Sequence, residues 1–78
     1  MARLLLLGPA REAAGVRNDV IDGDTVALVL QHCVTRYGDA FAAVLAASQV
    51  WVNGEVADGD DPVAANDEVA VLPPISGG

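Results

Sequence analysis

Lysine is absent from this sequence, and its basic side chains are four arginines set against eleven acidic residues, for a formal net charge of −7. Binding to nucleic acid or to an anionic membrane surface depends on a basic patch, so the sequence predicts neither partner. A basic protein groove is the natural complement of such a chain, although the same acidity also serves solubility alone. Without lysine, the chain is unable to build lysine-linked polymers of itself.

Cysteine and long apolar runs are also scarce. Cys33 is the only cysteine, which excludes an internal disulfide and is typical of a reducing compartment. The apolar run Leu4–Leu7 ends at Gly8-Pro9, far short of the apolar segment of a signal peptide or a membrane span. We therefore expect the protein in the cytosol.

Residues suited to catalysis or metal binding are few. The single histidine, His32, is expected at the surface, with no serine or cysteine arranged beside it. Cys33 is expected in the core, whereas a catalytic cysteine is exposed and lies near positive charge. The acidic turns at 22–24 and 58–61 lack the ligand pattern of a calcium loop. The sequence thus predicts no metal site and no cofactor bound by the chain.

Aliphatic side chains, by contrast, are abundant, since 53% of the residues are hydrophobic. This is enough for one small domain. Alternating or continuous short apolar segments predict strands, and apolar residues at helical spacing predict helices. One principal helix covers only one face of such a sheet, so the predicted fold class is α+β. The predicted strands are 3–7, 16–21, 49–53, 55–57 and 68–72, and the predicted helices are a turn at 10–14, the principal helix at 25–37 and a shorter helix from Asp39.

The last residues are the most distinctive part of the sequence. Pro73-Pro74 ends the last strand, because proline cannot donate to a sheet ladder, and Ile75-Ser76-Gly77-Gly78 follows. We expect one domain over residues 1–74 and a flexible tail over residues 75–78. Four extended residues span about 13 Å, and glycine lets the backbone approach another molecule closely. Such a tail fits a narrow tunnel and presents the carboxylate of Gly78 as the reactive group.

The segment Asp67–Gly78 resembles the end of molybdopterin synthase small subunits. The Arg11-Glu12 turn, the Val52-Asn53-Gly54 hairpin, the chain length and the element order are similar to that family as well. Asn66 stands where the family often has glycine, and asparagine tolerates the same left-handed conformation. The resemblance implies a β-grasp (ubiquitin-like) fold, in which a mixed sheet is covered on one face by the principal helix.

The resemblance also implies the function of a sulfur carrier, a non-catalytic subunit whose catalytic groups belong to its partners. An E1-like adenylyltransferase would use ATP to adenylate the carboxylate of Gly78, next to Gly77, and sulfur from a donor protein would convert it into a thiocarboxylate. The tail would then dock into the large synthase subunit, within a heterotetramer, and give sulfur to the pterin precursor of the molybdenum cofactor. The tail residues implied in docking are Pro73, Pro74, Ile75 and Ser76.

Trp51 is the predicted partner contact on the folded body. Strand side chains alternate between the two faces, so one pair of leucines in Leu4–Leu7 points away from the helices. Trp51 does so too if Val50 and Val52 face the core. Exposed apolar patches mark partner sites, and tryptophan is a favoured hot-spot residue. The alternative is that Trp51 packs beneath the loop at 57–66.

Other functions fit the same C-terminal sequence. Sulfur carriers of thiazole (thiamine) synthesis share Gly77-Gly78, but Pro73-Pro74 resembles the molybdopterin branch more closely. A carrier for another thiolation pathway is a further alternative. Two alternatives of a different class are a ubiquitin-like modifier that forms isopeptide bonds and an interaction module with an inert tail.

Overall fold

A computed structural model describes residues 1–74 and shows, within them, a five-stranded mixed sheet and three helices. The strands lie in the order β2-β1-β5-β3-β4; β1 and β5 are parallel, and the other neighbours are antiparallel. This confirms the predicted α+β class and the β-grasp arrangement. The elements are β1 (Ala2–Leu6), α1 (Gly8–Ala14), β2 (Asn18–Ile21), α2 (Val26–Tyr37), α3 (Asp39–Ala46), β3 (Gln49–Val52), β4 (Glu55–Val56) and β5 (Glu68–Leu72).

The parallel strands β1 and β5 form the centre of the sheet. Their register pairs Leu4 with Val69 and Leu6 with Val71, and all four side chains are almost wholly buried. Because side chains alternate along a strand, these four lie on the same face. The nearly continuous apolar sequence of β1 is therefore that of a central strand, as predicted.

Each helix contributes to a single core on one face of the sheet. Ala10 of α1, Cys33 of α2 and Phe41 of α3 are fully buried in the same cluster as the inward side chains of β1 and β5. The rings of Tyr37 and Phe41 lie 5.1 Å apart, which joins α2 to α3. Burying one such aliphatic or aromatic side chain stabilises the fold by about 1.5–3 kcal/mol. The predicted stripe of α2 is confirmed in full by its buried and partly buried members: Val26, Val29, Leu30, Cys33, Val34 and Tyr37.

Residues in the left-handed conformation mark the two turns that flank β4 and β5. Asn53 (φ 51°) and Gly54 (φ 84°) both adopt it, as a two-residue hairpin between β3 and β4 requires. Asn66 (φ 69°) adopts it shortly before β5. Asn66 thus adopts the left-handed conformation that asparagine is expected to tolerate at this turn.

The strand β2 begins later than predicted, at Asn18 rather than Val16. The N–H of Leu6 donates to the carbonyl of Arg17 (2.8 Å), and Leu7 then becomes the N-cap of α1. Val16 consequently has no partner on β1. The helix α1 starts at Gly8, earlier than predicted, because proline fits the first turn of a helix.

Candidate functional site

The strand β5 leads the chain out of the middle of the sheet toward residues 75–78. Leu72 pairs with Gln49 of β3 on one side, and the preceding Val71 pairs with Leu6 of β1 on the other. Pro73 is half-buried and Pro74 is exposed, and the ring of each fixes its own φ. The sheet therefore holds the chain on both sides up to Val71 and on one side at Leu72, directly before the two prolines.

The predicted site divides into a described part and a part outside the described residues. Pro73, Pro74 and Trp51 belong to the described part. The predictions for the tail lie outside it, so the roles of Ile75, Ser76, Gly77 and Gly78 stay predictions.

A group of hydrogen bonds holds the start of β5. The side-chain amide of Asn53 donates to Asp67 Oδ1 (3.0 Å), and its carbonyl oxygen accepts from the N–H of Glu68 (2.9 Å). Asp67 Oδ2 accepts from the N–H of Ala64 (2.8 Å). The bond from Ala64, and then that from Asn53, hold the pKa of Asp67 below its usual value. The Asn53-Gly54 and Asp67-Glu68 motifs thus act together to position the strand that carries the tail.

The face of the sheet opposite the core carries a band of apolar side chains. The register places Leu5 beside Ala70, Ala70 beside Trp51, and Trp51 beside Val56. We call Leu5, Ala70, Trp51 and Val56 the open-face row. Leu5 and Trp51 are half-buried, whereas Val56 is 62% exposed. The row crosses four strands, and its member on β5, Ala70, lies two residues before Leu72.

Trp51 stands in the open-face row rather than in the core. Its neighbours Val50 and Val52 pack against the core cluster, and so does Ala57 at the start of the loop. The indole N–H of Trp51 donates to Gln49 Oε1 (3.3 Å), which lies two residues away on the same face. The structure therefore agrees with the predicted orientation of Trp51, while its contact with a partner stays a prediction.

Metal and thiol chemistry have no candidate site in the described part of the chain. No group of three or more histidine, cysteine, aspartate or glutamate residues among 1–74 is placed to hold a metal ion. Burial raises the pKa of the Cys33 thiol to about 11, so thiolate is scarce at neutral pH. His32 is exposed, as predicted, and its Nδ1 donates to the carbonyl of Asp22 (2.6 Å). Over the same residues, none of the helices is both long enough and apolar enough to cross a bilayer.

A cluster of three polar side chains that joins α2 to β2 was not predicted from the sequence. Arg36 Nη1 lies 3.1 Å from Asp19 Oδ2, and the Tyr37 hydroxyl donates to the same oxygen (2.5 Å). The hydrogen bond from Tyr37 is the main cause that lowers the pKa of Asp19. Asp19 and the Arg36-Tyr37 pair are distant in the sequence, and no periodicity relates them. Only the packing of α2 against β2 brings them together.

Similarity to known proteins extends over nearly the whole chain. Residues 4–78 match the ThiS family. SAMP1 from Haloferax volcanii is 33% identical, with a TM-score of 0.82 over 99% of this chain and 98% of that chain.

Two further structures are similar in fold alone. The putative molybdopterin converting factor, subunit 1, from Pyrococcus furiosus is 21% identical, with a TM-score of 0.80 over 95% of this chain and 97% of that chain. The Amycolatopsis orientalis BexX/CysO complex contains a chain that is 19% identical, with a TM-score of 0.85 over 100% of both chains. Among curated protein sequences, none matches. From the family match and the relative that is 33% identical, the chain belongs to the ThiS family of ubiquitin-like sulfur carriers and modifiers.

Proposed function

We propose that this chain is a sulfur carrier whose reactive group is the carboxylate of Gly78. The observation that carries the proposal is a family match that continues through Gly78. A carboxylate is a poor acyl donor, and adenylation by an E1-like adenylyltransferase supplies a leaving group. The carboxylate attacks the α-phosphate of ATP, pyrophosphate leaves, and sulfur from a donor protein then takes the place of AMP.

The chemistry of the folded body supports transport on the tail rather than on a side chain. Cys33 is the one cysteine of the chain, and it is fully buried with a raised pKa. Buried, protonated thiols are poor nucleophiles. The folded body instead fixes the point where the tail begins, because β5 is paired on both sides up to Val71 and with β3 at Leu72. In this proposal, the carrier positions the tail and the partners supply the catalytic groups and ATP.

The first candidate pathway is the synthesis of molybdopterin. The ending Pro73-Pro74-Ile75-Ser76-Gly77-Gly78 supports it, as does the likeness in fold to a putative molybdopterin converting factor subunit. The partner would be the large synthase subunit in a heterotetramer, and the sulfur acceptor would be the pterin precursor. The tail would enter the active site of that subunit, while the open-face row would contact its surface.

A second candidate function is the modification of other proteins. The specific observation in its favour is the 33% identity to SAMP1, a small archaeal modifier protein. In this case the activated carboxylate of Gly78 would form an isopeptide bond with a lysine of a target. Purification of the tagged chain under denaturing conditions distinguishes the two functions, because conjugates survive denaturation and carrier complexes do not.

The requirement for a free Gly78 carboxylate tests the carrier mechanism. Deletion of Gly78, or a short extension beyond it, is expected to abolish sulfur transfer in a reconstituted system. The same extension placed before Met1 is the control, and melting temperatures show that each variant folds. Full sulfur transfer by the chain with the uncleaved C-terminal extension would contradict the proposal.

Growth of a deletion strain tests the pathway. Loss of molybdoenzyme activity, with normal growth in the absence of thiamine, is expected for a molybdopterin carrier. A thiamine requirement with intact molybdoenzymes would assign the chain to thiazole synthesis instead.

A further inference from the structure

The four arginines of this chain form two groups according to their contacts. Arg36 pairs with Asp19, and Arg3 Nε donates to the carbonyl of Asn66 (3.2 Å). Arg11 and Arg17 are exposed, and within residues 1–74 neither side chain forms an ion pair or a hydrogen bond. In a chain with a net charge of −7, two exposed arginines whose side chains form no polar contact within residues 1–74 are candidates for binding a partner.

Arg11 and Arg17 lie at the end of the sheet where β5 departs, and we call them the tail-exit arginines. The carbonyl of Arg17 accepts from the N–H of Leu6, and Leu6 pairs with Val71 of β5. Arg11 lies on α1, which follows β1 after one residue and lies against both β1 and β5. A surface hollow beside it is lined by Gly8, Arg11, Glu12 and Gly15.

Most acidic residues lie at the opposite end of the sheet. The turn after β2, the β3–β4 hairpin and the turn before β5 are there, since β1 and β5 begin at that end. The loop at 58–61 lies there too, because the carbonyls of Gly59 and Asp61 accept from N–H groups at the start of α2. Negative charge near a helix N-terminus is favourable. The eight residues concerned are Asp22, Asp24, Glu55, Asp58, Asp60, Asp61, Asp67 and Glu68.

We propose that the tail-exit arginines bind acidic side chains around the tunnel mouth of the activating enzyme; this rests on the proposed function. The guanidinium group binds carboxylates through two parallel hydrogen bonds. Acidic side chains at the tunnel mouth repel the end of the carrier that holds the eight acidic residues. This repulsion, together with the attraction of the tail-exit arginines, turns the tail end of the carrier toward the enzyme. The activating enzyme is the partner because every carrier or modifier function considered above begins with adenylation of Gly78.

The phosphates of ATP are the other anionic group near the tail, and chain length argues against them. Four residues follow Pro74, and four extended residues span about 13 Å. The reacting carboxylate and the nucleotide therefore lie deep in the enzyme when the folded body is at its surface. Arg11 and Arg17 belong to the folded body, so they meet the mouth of the tunnel rather than its end.

The test compares two variants of equal net charge. Arg11→Ala/Arg17→Ala removes two positive charges at the tail exit. Gln31→Glu/Ala65→Glu adds two negative charges at exposed positions elsewhere. Association with the purified activating enzyme of the same host is followed by stopped-flow at several salt concentrations. At low salt we expect about a tenfold slower association and a weaker salt dependence for the arginine variant, and a rate near wild type for the control.

Equal association rates for the two variants would overturn the docking role of the arginines. An unchanged rate with a raised KM for ATP would overturn it as well and would assign these side chains to the nucleotide. Intact mass, measured on the same proteins after ATP and a sulfur donor are added, separates the two proposals. Normal thiocarboxylation of the wild type with equal rates contradicts only the arginine contact, whereas a wild type that is never thiocarboxylated contradicts the proposed function and the arginine contact with it.

Discussion

At the scale of single residues, burial decides the chemistry of the only cysteine. Cys33 has no exposed surface, and its pKa is raised to about 11 by desolvation. At pH 8 this lowers the thiolate fraction by about two orders of magnitude relative to an ordinary cysteine. We expect iodoacetamide to alkylate the folded protein at least that much more slowly than the unfolded protein. We also expect Cys33→Ala to leave thiocarboxylate formation unchanged. Rapid alkylation of the native protein would show that the thiol is accessible.

The lowered pKa of Asp19 predicts that the free energy of unfolding decreases in acid. Its pKa is lowered in the folded state, so its contribution is complete above its unfolded pKa, near 3.9, and disappears as the pH falls through the lower folded value. Asp19→Asn should reduce the free energy of unfolding at pH 7 by about 1 kcal/mol and should flatten its dependence on pH below about 4. Urea unfolding at several pH values measures both effects. Glu55→Gln, at an exposed position in the β3–β4 hairpin, is the matched control and should leave the free energy of unfolding at pH 7 nearly unchanged.

Some residue roles could be predicted from the sequence and others could not. The turns at Asn53-Gly54 and Asn66 could be predicted because few residue types favour the left-handed conformation. The contacts of Asp19 with Arg36 and Tyr37 carry no such local signal. They depend on how α2 lies across β2, which only the packed core determines.

At the scale of elements, side chains cap the outward-facing backbone groups of Val20 in the edge strand β2. The N–H of Val20 donates to Asp19 Oδ1, and its carbonyl accepts from Arg36 Nη1, each at 2.8 Å. The carbonyl of Asp22 accepts from His32. Uncapped edge strands pair readily with other chains. These contacts therefore protect the strand at one margin of the sheet.

Removal of the hydrogen bond from Arg36 to the carbonyl of Val20 should promote self-association. Arg36→Ala leaves the carbonyl of Val20 free to accept from a second copy of β2. Analytical ultracentrifugation is expected to show more dimer than in the wild type at the same concentration. Arg11→Ala is the control, since it changes the net charge equally and leaves the edge intact. Equal dimer fractions for the two variants would mean that the contact between Arg36 and Val20 does not protect the edge of β2.

The exposure of the open-face row predicts that Trp51 contributes to the affinity for a partner protein. Trp51→Ala should weaken binding to the activating enzyme or the large synthase subunit by about 2 kcal/mol or more. The melting temperature should change little, because Trp51 lies outside the core cluster. Leu28→Ala, at an exposed position on α2 away from the row and from the tail-exit arginines, should preserve affinity. A large drop in melting temperature with unchanged affinity would make Trp51 a structural residue.

The existence and type of most elements could be predicted because their patterns are local. The stripe of α2 and the apolar run of β1 each identify an element within a dozen residues. The late start of β2 depends instead on Leu7 leaving the sheet for α1. The position of β5 between β1 and β3 likewise depends on pairing between distant segments, such as Leu6 with Val71.

At the scale of the whole molecule, the fold places most of the negative charge at the end of the sheet opposite the one where the chain leaves toward residues 75–78. Eight acidic residues gather at the end where β1 and β5 begin, and the chain leaves the sheet at the other. The resemblance of Asp67–Gly78 predicted the fold and the carrier family, and both are confirmed. It could not separate the sulfur pathways, because the pathway is selected by surfaces of the partner proteins, which this sequence does not contain.

The most direct test of the carrier proposal is the intact mass of the chain after incubation with ATP, its activating enzyme and a sulfur donor. We predict a mass increase equal to the exchange of one oxygen for sulfur, located at Gly78 by fragmentation and absent when ATP is omitted. An unchanged mass, or sulfur located on Cys33 instead, would contradict the carrier mechanism.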